Sequence, residues 1–174
     1  MSEGAGGAAA TGFVLPDGAR KFFDYSSQKL FGKFSRSSGE QRDMIMFDAF
    51  WASLVVGLLA RKHGEAESLK GDRFLAAYPD DYEPFAEYIA GLLVEAELAN
   101  LHTEDYTERQ LERAISRLLK VSAPTRLSPD GLRLLNLYAA GGFKILADRM
   151  RPRPSDASSF MQRYEALLAE LSDA

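Results

Sequence analysis

Apolar residues run almost without interruption from Met44 to Ala60, in the segment MIMFDAFWASLVVGLLA. They cover every side of a helix with 3.6 residues per turn, which in a water-soluble protein indicates a helix surrounded by other helices. A membrane-spanning helix needs about 20 predominantly apolar residues, whereas this run is shorter and contains Asp48. The pattern therefore predicts a helix in the protein core.

The limits of this helix are marked by capping signals. Gly64 is suited to the left-handed conformation that ends many helices. The positive charges of Arg61 and Lys62, just before it, would interact favourably with the negative C-terminal end of the helix dipole. We therefore expect the central helix to cover about residues 40–62. Two pairs near its start have the spacing of a capping box: Ser37 with Glu40, and Ser38 with Gln41.

Small side chains recur along the central helix at Ala49, Ser53 and Gly57, a spacing that places them on one face. A later apolar segment contains Gly141 and Gly142, and each glycine costs about 1 kcal/mol relative to alanine inside a helix. Close helix packing would offset that cost. We therefore predict that the glycine pair packs against the small-residue face.

Periodic apolar positions, caps and prolines predict the remaining elements, and no segment has the alternation of a strand. The fold class predicted is all-α, a compact bundle of five or six helices around the central helix. The other predicted helices cover Asp17 to about Arg36, a short segment from Asp72 to Tyr78, Asp81 to about Asn100, a segment beginning at Thr107, Ser128 to about Met150, and Ser155 to Leu171. The buried face predicted for the helix from Asp81 consists of Phe85, Tyr88, Ile89, Leu92, Leu93 and Ala96.

The Gly/Ala-rich segment 1–14 predicts a disordered N-terminal tail, and residues 15–174 predict a single helical domain. The RPRP sequence at 151–154 predicts a short linker before the last helix. The sequence contains no cysteine, and its N-terminus has neither the positive charge nor the apolar stretch of a signal peptide. We therefore expect a cytoplasmic location and no membrane contact.

The charge of the chain alternates in sign along the sequence. The net charge is −4 and the isoelectric point is near 5.3, yet residues 63–100 are strongly acidic and residues 101–153 are basic. One stripe of cations lies opposite the apolar face of the helix that begins at Thr107. It consists of Arg109, Arg113, Arg117 and Lys120.

This stripe is a candidate for contact with the phosphate backbone of a nucleic acid. Its predicted extension consists of Arg149, Arg151 and Arg153, with Lys144 nearby. The competing interpretation is an ordinary solvated helix surface, and the acidic isoelectric point argues against tight autonomous binding.

The last predicted helix offers a second candidate surface. Its apolar positions have a heptad-like spacing. They would complete the bundle or, in the alternative interpretation, dock on a partner. These positions are Phe160, Met161, Tyr164, Leu168 and Leu171.

No motif commits the sequence to a reaction. It lacks the P-loop, nucleophile-elbow and zinc-protease patterns, and its two histidines, His63 and His102, cannot build a histidine-rich metal site. Acidic residues near His102 could surround a hard cation, but helix caps explain those residues more simply. We therefore predict no catalytic residue, no metal ligand and no cofactor.

Three functions remain open from the sequence. The first is a small non-enzymatic helical subunit that interacts with a protein partner or with itself, in a larger cytoplasmic complex of the bacterial type. The alternative is a module that contacts nucleic acid through the basic helix face. The third is an enzyme that depends on carboxylates or a metal.

Overall fold

The computed structural model describes residues 12–23, 46–70, 73–101 and 105–173, together with the backbone of two short strands at 34–35 and 41–42. Within these residues the fold is all-α, a compact helical bundle, which confirms the predicted class. The α-helices are α1 (Ala19–Phe23), α2 (Met46–Leu59), α3 (Ala86–Asn100), α4 (Glu108–Leu118), α5 (Pro129–Arg149) and α6 (Ala157–Ser172).

Short 3₁₀ helices and strands connect these helices. The 3₁₀ helices cover Ala66–Lys70 and Glu83–Phe85. Strand β1 pairs antiparallel with β4, and β2 pairs antiparallel with β3. The prediction that the chain has no strand was therefore wrong, although each strand is only two or three residues long. The strands cover β1 (Phe13–Val14), β2 (Phe34–Ser35), β3 (Gln41–Arg42) and β4 (Arg73–Leu75).

The core is centred on the contact between α2 and α5. A side chain at Gly57 would overlap the Tyr138 carbonyl group, and one at Gly142 would overlap the Ser53 carbonyl oxygen. The prediction that the glycine pair packs against the small-residue face is confirmed for Gly142. Gly141 packs instead against the chain that follows α2, from Lys62 to Gly64.

The C-terminal end of α2 differs from the sequence prediction. Arg61, not Gly64, adopts the left-handed conformation, with φ of 51°. The Lys62 N–H donates to the Gly57 carbonyl at 3.0 Å, and the Arg61 N–H donates to the Leu58 carbonyl at 3.1 Å. These two bonds form a Schellman motif. Gly64 is needed for a different reason, because a Cβ atom there would lie 2.6 Å from the Ala140 Cβ.

The predicted start of α2 near residue 40 was also wrong. Gln41–Arg42 is extended and pairs with Phe34–Ser35, so the helix begins only at Met46. The helix predicted for Asp17 to about Arg36 was wrong at its end, because Phe34–Ser35 is a strand, while α1 covers part of its first half. Residues 24–33 lie outside the described residues. The serines of the predicted capping boxes lie outside the described residues.

The N-terminal segment contributes to the core. The Phe13 side chain is fully buried, and its ring lies 5.1 Å from the Phe47 ring and 5.0 Å from the Tyr78 ring. The buried Asn136 of α5 holds this segment by accepting from the Val14 N–H and donating to the Gly12 carbonyl, each at 2.9 Å. The prediction of a disordered tail was therefore wrong for Phe13 and Val14, the last two residues of the segment 1–14. Residues 1–11 lie outside the described part of the chain.

Strand β4 replaces the short helix predicted for residues 72–78, because Arg73–Leu75 pairs with β1. Helices α4, α5 and α6 begin within two or three residues of the prediction. The predicted start of α3 at Asp81 was wrong, because Glu83–Phe85 forms a 3₁₀ helix and α3 begins only at Ala86. The Ser128 hydroxyl accepts from the Gly131 N–H at 3.0 Å to cap α5, and the Thr107 N–H donates to the Gln110 side chain at 2.8 Å at the start of α4. Both predicted caps are confirmed.

Candidate binding surfaces

A groove of about 870 Å³ runs between α2 and α3. The α2 row contains Trp51, Val55, Leu58 and Leu59, and the α3 row contains Tyr88, Leu92, Glu95 and Ala99. Residues three or four positions apart lie on one side of a helix, so the lining residues form two facing rows. The α3 row covers about three helical turns, or roughly 16 Å, and the α2 row covers about two turns, or roughly 12 Å. Lys62 continues the α2 side of the groove beyond the end of the helix at Leu59.

Residues of α5 and α6 complete the groove, among them Ile145 and Leu171. Its apolar walls are incompletely covered. Tyr88 is 63% exposed and Leu59 is 37% exposed, although large apolar side chains normally avoid such exposure when they lie together. The groove therefore offers contiguous apolar surface to a binding partner.

One end of the groove is positively charged. Arg61 and Lys62 line it, are exposed, and form no ion pair within the described part of the chain. The Asn100 side chain donates to the Arg61 carbonyl at 3.3 Å, so the C-terminal ends of α2 and α3 meet at this end. Two cations there counter the negative ends of both helix dipoles and favour an acidic group on a bound molecule.

The sequence prediction missed this groove because it placed Phe85 and Tyr88 on the buried face of α3. Both are exposed, Phe85 at 54%. The helical period identified Ile89, Leu93 and Ala96 correctly as buried. The helical period could not show that no further helix among the described residues covers the neighbouring row of α3, which contains Tyr88 and Leu92.

The residues of α6 that the sequence predicted for partner docking mostly pack on the core of the chain itself. Phe160 is 2% exposed, and the Tyr164 hydroxyl donates to the Ala52 carbonyl of α2 at 2.8 Å. Leu168 and Leu171 are half-buried against the same core. Only Met161 of the five is exposed, at 44%. Phe160, Tyr164 and Leu168 therefore complete the bundle, whereas Leu171 packs on the core and also lines the groove.

The basic stripe on α4 lies at the surface as the sequence predicted. Arg109, Arg113, Arg117 and Lys120 are all exposed. Only Arg117 forms an ion pair among the described residues, with Asp130 at 3.4 Å. The stripe therefore carries cations that no carboxylate of the described chain neutralises.

The three arginines predicted to extend the stripe form contacts within the chain, away from α4. Arg149 pairs with Glu170 of α6, Arg151 pairs with Asp148 at 3.0 Å, and the Arg153 Nε donates to the Phe22 carbonyl at 2.6 Å. These contacts hold the connection between α5 and α6. Arg117 lies near the first turn of α5 and Arg149 is its last residue, about 28 Å further along the helix axis. The two groups of cations do not form one surface.

A small polar network lies beside the groove and was not predicted. The Tyr138 hydroxyl donates to Glu97 Oε1, and the Asn100 amide donates to the Tyr138 hydroxyl at 3.0 Å. His63 Nε2 lies 3.1 Å from the same Glu97 oxygen. Burial, and then the neighbouring Glu97 carboxylate, raise the pKa of Tyr138 above its ordinary value of 10.0. The network links α3, α5 and the segment after α2 and leaves every hydroxyl and amide in it paired.

In the described part of the chain, no three histidine, cysteine or acidic side chains come together as metal ligands would. The possible cation site around His102 lies outside the described residues. Among the described helices, none combines the length and apolar character required to cross a bilayer.

Comparisons with known proteins add no functional information. No protein-family model matches the chain, and searches of curated proteins and of solved structures gave no match. The function must therefore be inferred from the surfaces themselves.

Proposed function

We propose that the protein is a non-enzymatic helical interaction subunit, and that the groove between α2 and α3 binds an amphipathic helix of a partner protein. The partner helix presents an apolar face to the groove and acidic side chains to Arg61 and Lys62. The observation that carries the proposal is the pair of facing rows of apolar residues along the two helices. Grooves of this form receive helices through anchors spaced at i, i+3, i+4 and i+7.

The dimensions of the groove support a helix as the occupant. Its longer row, on α3, extends about 16 Å, which equals three turns of a partner helix. Trp51 and Tyr88 lie at the end opposite Lys62. Tryptophan and tyrosine contribute the largest share of binding energy in many protein interfaces. The partner is therefore expected to anchor an apolar side chain between these two rings.

The charges support an acidic partner. Arg61 and Lys62 extend the groove at one end without carboxylate partners among the described residues, while Glu95 on the α3 wall is the one acidic residue that lines it. Complementary charge raises the association rate and selects among partners. An apolar helix with flanking glutamates satisfies both features of the groove.

The test uses Trp51, the only tryptophan of the chain, as a reporter inside the groove. The probe is a synthetic peptide of about four helical turns with leucines on one face and glutamates on the other. A shift of the Trp51 emission that saturates at micromolar peptide supports the proposal. A peptide of the same composition in scrambled order and a peptide with lysine in place of glutamate should bind at least fivefold more weakly.

Two matched variants locate the binding. Tyr88→Ala removes an exposed ring from the groove and should weaken peptide binding at least fivefold. Tyr106→Ala removes an exposed ring outside the groove and should leave it unchanged. Equal losses in both variants, or no saturable binding, would overturn the proposal.

Other occupants give distinct results. If a long-chain fatty acid shifts the Trp51 emission and the peptide does not, the groove is a lipid site. If light scattering detects a dimer that Tyr88→Ala abolishes, a second copy of the chain occupies the groove. Either outcome would replace the proposed partner helix.

A further inference from the structure

Two clefts adjoin at the first turns of α5, on a part of the molecule that the groove does not include. The first, of about 340 Å³, lies between α3, α4 and α5, and the second, of about 400 Å³, lies between α5, β1, β4 and the 3₁₀ helix Ala66–Lys70. Asp130 and Arg133 line both clefts. The two clefts therefore form one continuous depression across the N-terminal end of α5.

Exposed cations line this depression from end to end. Arg117 lies in the first cleft, Arg133 lies between the clefts, and Lys70 and Arg73 lie in the second. The first cleft joins this row to the stripe on α4, because Arg117 belongs to both. We call the whole row the basic track: Arg109, Arg113, Arg117, Arg133, Arg73 and Lys70.

The cations of the basic track are largely unneutralised. Arg117 pairs with Asp130, but this contact of 3.4 Å is solvent-exposed and contributes little. The other five form no ion pair with any described residue. Glu97, the other acid in the first cleft, is already engaged by Tyr138 and His63. An anionic ligand would therefore meet free cations at five of the six positions of the row.

The geometry points to the sugar–phosphate backbone of a nucleic acid as the ligand: we propose that the basic track binds it without reading its sequence. Five of the six residues are arginines, whose planar guanidinium groups form paired hydrogen bonds with phosphates. On α4 the arginines recur every four residues, about 5–6 Å apart at Cβ. A row with that repeat fits a regularly charged polymer better than the irregular carboxylates of a folded protein.

The acidic isoelectric point of the chain is consistent with this proposal. The acidic residues concentrate in segment 63–100. Among them, Glu95 lines the groove, Glu87 pairs with Arg126, and Glu97 is engaged by Tyr138 and His63. Binding would then depend on the local field of the track and be weakened by salt. This inference does not depend on the partner helix proposed for the groove, since the two surfaces share no residue.

The test is fluorescence anisotropy of labelled duplex DNA, single-stranded DNA and single-stranded RNA, measured between about 50 and 200 mM salt. The native protein should bind at the low-salt end, with a log–log salt slope of about −3 or steeper. The variant Arg113→Glu/Arg133→Glu should bind at least tenfold more weakly. Its log–log salt slope should become less negative by about 2, because two phosphate contacts are lost.

The control variant Lys21→Glu/Lys144→Glu makes the same change in net charge at exposed cations outside the track. It should change binding by less than twofold, and circular dichroism should show the native helix content in both variants. Equal weakening in the two variants would show that net charge alone attracts the nucleic acid, and absence of binding at low salt would also overturn the proposal. If poly-aspartate competes as well as nucleic acid at equal charge concentration, the ligand is an acidic protein.

Discussion

Gly142 of α5 packs directly against the Ser53 carbonyl oxygen of α2, with no room for a side chain between the two helices. Because the atoms that a methyl group would meet are backbone atoms, they cannot move aside without separating the helices. We expect Gly142→Ala to lower the free energy of unfolding by about 3 kcal/mol or more, since overpacking a core commonly costs 1–3 kcal/mol with mobile neighbours. Urea denaturation followed by circular dichroism measures this loss.

Gly91 of α3 provides the matched control for this substitution. It also lies inside a helix, but a Cβ atom there would meet nothing within 4 Å. Alanine is favoured over glycine in a helix interior by about 1 kcal/mol, so Gly91→Ala should raise the free energy of unfolding by about 0.5–1 kcal/mol. If the two alanine variants changed stability equally, backbone contact would not explain the requirement for Gly142.

The contact between Gly142 and α2 was predictable because glycine inside a helix is costly and small residues with helical spacing allow close approach. Ile89, Leu93 and Ala96 of α3 were predictable as buried from the helical period, and the caps of α4 and α5 were predictable from residue type and spacing. Strand pairing was not, because β1 and β4 are two or three residues long and about 60 positions apart. Strands this short show no recognisable alternation of polar and apolar residues.

The candidate surfaces could be predicted only in part. The row of arginines on α4 follows from helical spacing, so the sequence identified it. Its continuation through Arg133, Arg73 and Lys70 depends on which helices adjoin, and chain order suggested the more distant Arg149 instead. The groove was missed because a half-covered row of apolar residues has the same period as a buried one.

Arg61 adopts the left-handed conformation at the end of α2, with φ of 51°. This conformation costs a residue with a Cβ atom roughly 1 kcal/mol, whereas glycine adopts it freely. Arg61→Gly should therefore raise the free energy of unfolding by about 0.5–1 kcal/mol, and thermal or urea unfolding measures the change. The same variant removes a cation from the groove, so it should also weaken binding of the glutamate-bearing peptide.

Arg126 provides a contrasting case for the same substitution. It also has a positive φ, of 60°, but its side chain donates to the Val121 carbonyl and pairs with Glu87 at 3.5 Å. Arg126→Gly relieves the backbone and loses both contacts, so it should gain less than Arg61→Gly. If Arg126→Gly raised the free energy of unfolding more than Arg61→Gly, the two contacts of the Arg126 side chain would not contribute to stability, contrary to this expectation.

The buried hydroxyl of Tyr78 has no hydrogen-bond partner among the described residues. A polar group without a partner loses its hydration on folding and gains nothing in return. Tyr78→Phe should therefore raise the free energy of unfolding, by about 1 kcal/mol. Differential scanning calorimetry of the variant would detect this as an increase in Tm.

Tyr164 gives the opposite expectation with the same chemical change. Its hydroxyl donates to the Ala52 carbonyl at 2.8 Å, so Tyr164→Phe removes a hydrogen bond between α6 and α2. This variant should be less stable than the native protein by about 1 kcal/mol. A Tyr78→Phe protein that lost as much stability as Tyr164→Phe would show that the Tyr78 hydroxyl is paired, for instance with a buried water.

Three tyrosines, Tyr78, Tyr138 and Tyr164, make stability dependent on alkaline pH. Burial raises the pKa of each above its ordinary value of 10.0, because the charged phenolate is disfavoured inside the protein. Below pH 10 both the folded and the unfolded chain keep these protons, so the tyrosines do not affect stability. As the pH rises above 10, the unfolded chain releases the protons and the folded chain retains them, so stability falls.

Tyrosinate absorbance and circular dichroism, recorded together, should show these three groups ionising only as the helices unfold. Ionisation of all tyrosines before any loss of helix would contradict the prediction, and Tyr138→Phe should make the alkaline loss of stability less steep.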